Sequence, residues 1–352
     1  MPAAATARVV TPGGPARQPN TMSPMAATMR DVAALAGVSI KTVSRVVNLE
    51  PHTRPEVVRR VRDAITELEW VPNGSARTLR TGRTGLVGVG VSGLRRPYLA
   101  MVTEAVVSEL YRRGLQAAVE PTHHRAERVA ALLDSRGRVF DGVVLIGAVP
   151  PELVTGLRPT DAVVLLHHEP TDHADSVDAD AVEAASLVAR HLVVMGRSRP
   201  ALIGLDRVVG GGQIMTAALA GAGITHAVPS VERVAGRADG ARAAREVLDR
   251  APDTDALLCG SDELALGALA ELARAGVAVP DTVAVVGFDN LDDASVSTPS
   301  LTTVDPGVAR LARSAVDLLA DRLAGTGGEA ARRIISPVEL ARRESTLGTG
   351  LR

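Results

Sequence analysis

Lys41 and Arg45 stand about one helical turn apart beside Ile40, inside the run Thr-Met-Arg-Asp-Val-Ala-Ala-Leu-Ala-Gly-Val-Ser-Ile-Lys-Thr-Val-Ser-Arg-Val-Val-Asn that extends from Thr28 to Asn48. Either cation can donate to the O6 and N7 acceptors of guanine, and Ile40 can pack on a thymine methyl, so the trio has the chemistry for reading DNA bases. Ser39, Thr42, Ser44 and Asn48 add short donors suited to phosphate oxygens, which fix the register of a protein on a duplex without reading its sequence. Thr28 is grouped with these DNA contacts. Lys41 is the only lysine among the 39 Lys and Arg side chains of the chain.

Two short helices must hold these groups in place. Thr28 and Asp31 have the spacing of a capping box, so the first helix is expected to start near Met29, with Val32, Leu35 and Ala36 as its apolar stripe. Gly37 ends it, because a left-handed residue after a helix carries no Cβ penalty only when it is glycine. Val38 plugs the turn, and Ser39 caps a second helix that turns Val43, Val46 and Val47 inward and leaves Lys41, Thr42, Ser44 and Arg45 on the other side. Such a pair of helices would also fit an ordinary helical hairpin. The following residues favour a helix-turn-helix: Pro55 and Glu56 open a third helix whose Val57, Val61, Ala64, Ile65 and Leu68 form one stripe, ending at Trp70 before Pro72. In that motif the N-terminal residues of the second helix lie nearest the base edges.

A basic connector follows, from Asn73 to Arg83. From Thr28 to Arg83 the chain resembles the headpiece and hinge of the LacI/GalR family of bacterial transcription regulators, and the order of elements matches that family to the C-terminus. The resemblance implies a homodimer on a near-palindromic double-stranded operator. It also implies paired hinge helices that press a leucine into the minor groove, an apolar wedge that unstacks a base step and kinks the duplex. Leu79 matches that leucine, Ala76 matches the small residue beside it, and Asn73 stands with the DNA contacts at the head of the hinge. Gly74 falls inside the prospective hinge helix, where glycine costs about 1 kcal/mol relative to alanine, so the hinge is expected to fold on DNA. Arg54 replaces the family's usual serine cap on the third helix; Pro55 partly compensates, and Arg54 can reach a phosphate instead.

The charge distribution agrees. Residues 28–83 carry ten Lys and Arg against six Asp and Glu, whereas the whole chain has 39 against 40. The positive field is local to the expected reading head. With 352 residues, 46% of them hydrophobic, the chain calls for a large body besides the headpiece. Residues 1–27 are expected to be a disordered extension, neither signal peptide nor membrane span, with Met22 or Met25 as alternative starts. A single cysteine, Cys259, excludes an internal disulfide and suits a cytoplasmic, nucleoid-associated protein.

The expected fold class is α/β. A three-helix headpiece over residues 28–72 and a hinge over 73–83 lead into a doubly wound body over 84–352. Leu86 to Val91, Gln116 to Val119, Val143 to Ile146 and Val163 to Leu166 read as strands buried on both faces. Ala201 to Leu205, Leu257 to Cys259 and Val283 to Val286 begin a second set. The family resemblance implies two periplasmic-binding-protein-like lobes joined by three crossovers, one of about 84–178 and 307–334, the other of about 179–306 and 335–352, with a small effector between them. Open α/β sheets bind ligands beyond the carboxyl ends of their strands.

By that resemblance Ser92, Tyr98, His167, Ser261 and Asp289 are the effector-contact positions, with Asp289 accepting protons from ligand hydroxyls or amines. His167 stands where sugar-binding members usually have an aspartate, and Gly211 replaces an arginine that grips the effector in many relatives. Asp262 is read as a cap for the helix after Ser261. With five aromatic residues in the whole chain, stacking on a sugar face is scarce. The effector is therefore a sugar or another metabolite.

Two other functions fit parts of the sequence. Gly88-Val-Gly-Val-Ser-Gly93 satisfies the dinucleotide fingerprint of an NAD(P)-dependent oxidoreductase, but that fingerprint needs its glycines at a turn opening a helix, and here Gly88 and Gly90 alternate with valines inside a strand. A two-lobed sugar-binding protein would carry a secretory signal in place of a helix-turn-helix. His123, His124, His167, His168 and His173 lack the spacing of a zinc site, and no nucleophile elbow or catalytic carboxylate pair stands out. No enzyme, cofactor, metal or membrane partner is expected.

Overall fold

A computed structural model describes residues 27–47, 53–70, 82–205, 211–226, 228–232 and 234–348 of the protein. The chain divides into two compact units, Met1–Arg77 and Thr78–Arg352.

The first unit holds α1 (Met29–Leu35), α2 (Ile40–Val47) and α3 (Pro55–Glu67). The capping box is reciprocal: the Asp31 amide donates to Thr28 Oγ1 at 3.4 Å, while the Asp31 carboxylate accepts from the Thr28 amide at 2.8 Å. Gly37 takes the left-handed conformation, φ +61°, and turns the chain into α2. Val32, Ala33, Ala36, Val43, Val46, Val61, Ala64 and Trp70 form one small core. Leu35 is exposed, against expectation, and Ala33 takes its place inward. The stripe of α1 is thus centred one position away from the largest apolar side chain. Asn48, Asn73, Ala76 and Leu79 lie outside the described residues.

The second unit is built on two six-stranded sheets. The first sheet contains β1 (Leu86–Val91), β2 (Gln116–Pro121), β3 (Gly142–Ile146), β4 (Val163–Leu166), β5 (Asp175–Ala179) and β11 (Arg333–Ser336), in the order β11-β5-β4-β3-β1-β2. The second sheet contains β6 (Pro200–Ile203), β7 (Ser230–Val231), β8 (Ala256–Cys259), β9 (Ala284–Phe288), β10 (Thr302–Asp305) and β12 (Glu339–Ala341), in the order β12-β10-β9-β8-β6-β7. Strand order reverses between β1 and β3 and, equivalently, between β6 and β8. Among the described residues only β12 runs antiparallel to its neighbour. β2 corrects an expectation, because it is a half-exposed edge strand and not one buried on both faces.

Helices cover both faces of each sheet. In lobe one, α4 (Pro97–Arg112) and α12 (Val308–Ala324) pack on one face, and α5 (Ala126–Asp134) with α6 (Pro151–Thr155) on the other. In lobe two, α7 (Ala181–Val194) and α8 (Gly211–Gly221) lie opposite α9 (Arg237–Arg250) and α10 (Asp262–Arg274). Two short helices, α11 (Asp292–Val296) and α13 (Glu344–Leu347), complete the lobe. The chain crosses between the lobes three times: after Ala179, after Asp305 and after Ser336.

The strands that the sequence pattern missed have unusual interiors. β5 opens on the fully buried Asp175, whose carboxylate takes two hydrogen bonds from Arg322, at 2.9 and 2.6 Å, and others from the Arg332 amide and side chain. Burial alone would raise this carboxyl, but the hydrogen bonds of Arg322 and Arg332 outweigh it and hold the group below its ordinary value. The buried charge is paired several times over, as such a position requires.

Gly88 and Gly90 lie inside β1, and α4 begins only at Pro97. A Cβ on Gly90 would come within 2.7 Å of Leu145 and 2.8 Å of Leu132, and one on Gly88 within 3.0 Å of Phe140. These glycines make room for core side chains, which overturns the dinucleotide reading of the 88–93 run.

Candidate nucleic-acid interface and effector cleft

On α2, Ile40, Ser44, Lys41 and Arg45 fall within an arc of about 140° at 3.6 residues per turn. Val43 and Val46 fill the opposing side and are buried, while Ile40, Lys41 and Arg45 are exposed. The small core therefore fixes the orientation of the helix and turns its cationic arc to solvent. Ser39 caps the helix by accepting from the Thr42 amide at 3.1 Å, and its hydroxyl also meets that of Thr42 at 2.9 Å. One hydroxyl proton of that pair remains for a phosphate oxygen, whichever of the two donates. Thr28 directs its own hydroxyl proton to Asp31 at 2.7 Å. Arg54 precedes α3 without making a side-chain cap, and its side chain is exposed.

In the body, the residues expected to contact an effector gather at the carboxyl ends of the strands. Ser92 is buried just after β1, and Tyr98 stands in the first turn of α4. His167 follows β4 at φ +57°, which aims its ring at Tyr98: the hydroxyl lies 2.9 Å from Nε2, and the ring centres are 5.3 Å apart. Burial pulls the His167 imidazole down to about 4, so it is neutral at physiological pH. Burial raises the Tyr98 hydroxyl well above its ordinary range, and the carboxylates of Asp289, Asp305 and Asp178 raise it further. Tyr98 is thus a protonated phenol at physiological pH, with His167 as its hydrogen-bond partner.

Asp289 follows β9 at φ +126° and is buried. Burial raises its carboxyl well above the usual range, as does the charge of Asp262, and Arg96 of lobe one opposes that shift. Tyr98, His167 and Asp289 therefore share one neighbourhood. Ser261 is the N-cap of α10, accepting from the Leu264 amide at 3.3 Å, and this reverses the expected division of roles with Asp262. Asp262 does not cap. It is fully buried, pushed up to about 6 by burial, and it accepts from the Leu291 amide at 2.8 Å and from Thr303 Oγ1 at 2.5 Å.

Sequence reasoning missed the polar frame behind Asp289. Asn290 donates to Asp305 at 3.0 Å and accepts from Arg343 at 2.7 Å, while the Gly307 amide donates to Asp305 at 2.7 Å. The loop bearing Asp289 is tied by these bonds to the second crossover. The one available signal was Asn290 itself, since asparagine is among the few residues that accept φ +53° readily. Among the described residues, no group of three or more His, Cys, Asp or Glu is placed to hold a metal.

Known proteins share this arrangement. Residues 28–73 match the family described as bacterial regulatory proteins, lacI family, and residues 189–346 match the periplasmic binding protein-like domain. The repressor PurR of Pectobacterium carotovorum subsp. carotovorum (strain PC1) is 31% identical over 330 residues, covering 90% of this chain and 96% of that protein. The chain belongs to the LacI family. Another member, the regulator CelR of Thermobifida fusca, is 34% identical over 346 residues, covering 90% of this chain and 98% of its own length. The lac repressor dimer, solved with operator and the anti-inducer ONPF, superposes with a TM-score of 0.72 at 25% identity, over 91% of this chain and 99% of that one. As a LacI-family regulator of transcription, the protein binds DNA and answers to a small-molecule effector. No helix among the described residues is long and apolar enough to cross a membrane.

Proposed function

We propose that the protein is an allosteric repressor acting in the cytoplasm as a homodimer on a near-palindromic operator. Ile40, Lys41 and Arg45 read base edges; Ser39, Thr42, Ser44, Asn48, Arg54, Asn73 and the N-terminus of α1 at Thr28 meet the backbone; Leu79, beside Ala76, is the minor-groove wedge. Residues 28–72 form the headpiece, 73–83 the hinge and 84–352 the effector-binding and dimerisation body, and the reading assigns no reaction to that body. The effector lies between the lobes against Ser92, Tyr98, His167, Ser261 and Asp289. Its chemistry is that of a neutral or cationic hydrogen-bonding molecule, because the site combines a neutral histidine and a protonated phenol with the raised carboxyl of Asp289.

The observation that carries the reading is the exposed arc of Ile40, Lys41 and Arg45 on a helix whose other side is pinned by Val43 and Val46. Genomic footprinting of the full chain tests it. Recovery of an inverted repeat whose half-sites change when Lys41 and Arg45 are replaced supports the assignment, and binding without sequence preference overturns it.

A further inference from the structure

Lobe two contains an apolar recess lined in part by Phe288, the residue before Asp289. Its walls include Ala181, Ala184 and Ala185 of α7, Gly211 at the start of α8, Cys259 at the end of β8 and Phe288 at the end of β9. None of its lining side chains carries a charge, an amide or a hydroxyl, and it is open on one side. Its free volume is about 30 Å³. A single water needs roughly 10 to 15 Å³ on this measure, together with two to four polar partners, so the space suits about two waters and the lining suits none. Two liquid waters fill roughly 60 Å³, about the bulk of two to three aliphatic carbons, so the recess takes the end of a short branched alkyl group.

Location gives the recess its meaning. It lies at the carboxyl ends of β8 and β9, the side on which an open α/β sheet meets its ligand. Asp289 follows Phe288 directly, and Ser261 lies two positions beyond Cys259, so the polar contact positions border the recess along the chain. Small residues keep it open: the side chains at 181, 184 and 185 end at Cβ, and the residue at 211 has none. A long side chain at 211 would stand in the space.

We propose that this recess is a specificity subsite for the effector, which carries a compact branched apolar group seated between α7, α8 and the sheet while its donor groups meet Asp289. The inference rests on the reading of Asp289 as an effector contact. It narrows the ligand class from any hydrogen-bonding metabolite to an amphipathic one with a short branched tail. Cys259 supplies the reporter, since it is the only cysteine in the chain and its buried thiol lines the recess.

The experiment measures protection of Cys259 in the full-length protein against methyl methanethiolsulfonate, a small neutral reagent, by two amino alcohols. Alaninol and leucinol share an ammonium and a hydroxyl and differ only in the methyl or isobutyl tail. Burial of the additional carbons favours leucinol, and half-protection is expected at a concentration at least tenfold lower than for alaninol. Ala184→Leu, which fills the recess, and Ala181→Leu, which closes its half-buried rim, are each expected to erase that difference. Equal protection by the two probes, no protection by either, or a tail preference that survives both variants overturns the proposal. Asp289→Asn separates the two levels: it is expected to weaken both probes alike and keep their ratio. A preserved tail preference with no effect of Asp289→Asn supports the recess and removes Asp289 from the effector contacts.

Discussion

Single side chains decide what each end of the molecule recognises. Replacing Lys41 or Arg45 with alanine is expected to cost about 1 to 3 kcal/mol on the operator and to relax preference at one base position per half-site, as read by selection from a randomised site. Uniformly weakened binding with unchanged selectivity would reassign the residue to a phosphate. His167 has a different signature. Its imidazole is held near 4 in the folded chain and titrates near 6.5 when unfolded, so between those values the unfolded state binds a proton that the native state does not. Stability therefore falls as pH drops from about 6.5 to about 4. His167→Gln is expected to flatten that part of the pH profile in denaturant titrations, and an unchanged slope would place the responsible group elsewhere. Tyr98, whose hydroxyl is 2.9 Å from the ring, should report the same titration in its ultraviolet difference spectrum.

At the scale of elements, β1 shows how packing and a sequence motif can be confused. Gly90→Ala places a methyl against Leu145 and Leu132 and is expected to destabilise the body by about 1 to 3 kcal/mol while leaving headpiece helicity intact. Chemical denaturation followed separately in the two units checks this, and a fully tolerated alanine would mean that the two leucines have room to move. For the connector, Leu79→Ala is expected to reduce operator binding and bending without altering the dimer, measured by permuted-fragment electrophoresis and light scattering. Much of this architecture was legible because apolar runs such as Val143 to Ile146 and Val163 to Leu166 announce central strands. β5 was not legible, since its sequence Asp-Ser-Val-Asp-Ala hides a buried carboxylate whose partners, Arg322 and Arg332, lie far along the chain. The headpiece was nearly complete in the sequence, with Leu35 the exception, because capping and periodicity are local. The polar frame around Asp289 was illegible for the opposite reason: Asn290, Asp305 and Arg343 meet only after β9, β10 and the C-terminal segment have been brought together.

For the whole molecule, the pairing of Asp175 with Arg322 and Arg332 joins segments that flank the long insertion holding all but the last strand of lobe two. Removing one member of a buried pair of this kind costs about 3 to 5 kcal/mol, so Asp175→Ala is expected to lower the denaturation midpoint of lobe one substantially, with a smaller effect on lobe two. Pulse proteolysis of the two lobes distinguishes that outcome from a uniform loss. The same three crossovers set the order in which the protein can be made. Arg333 of β11 pairs with Ser176 of β5, 157 positions earlier, and all but the last strand of lobe two are synthesised in between. At about 5 to 20 residues per second, translation leaves β5 as an unprotected sheet edge for roughly 10 to 30 s. During that interval the growing chain presents unpaired amides and carbonyls that a neighbouring nascent chain could join, and the yield of functional regulator depends on how well the ribosome and its chaperones keep that edge alone.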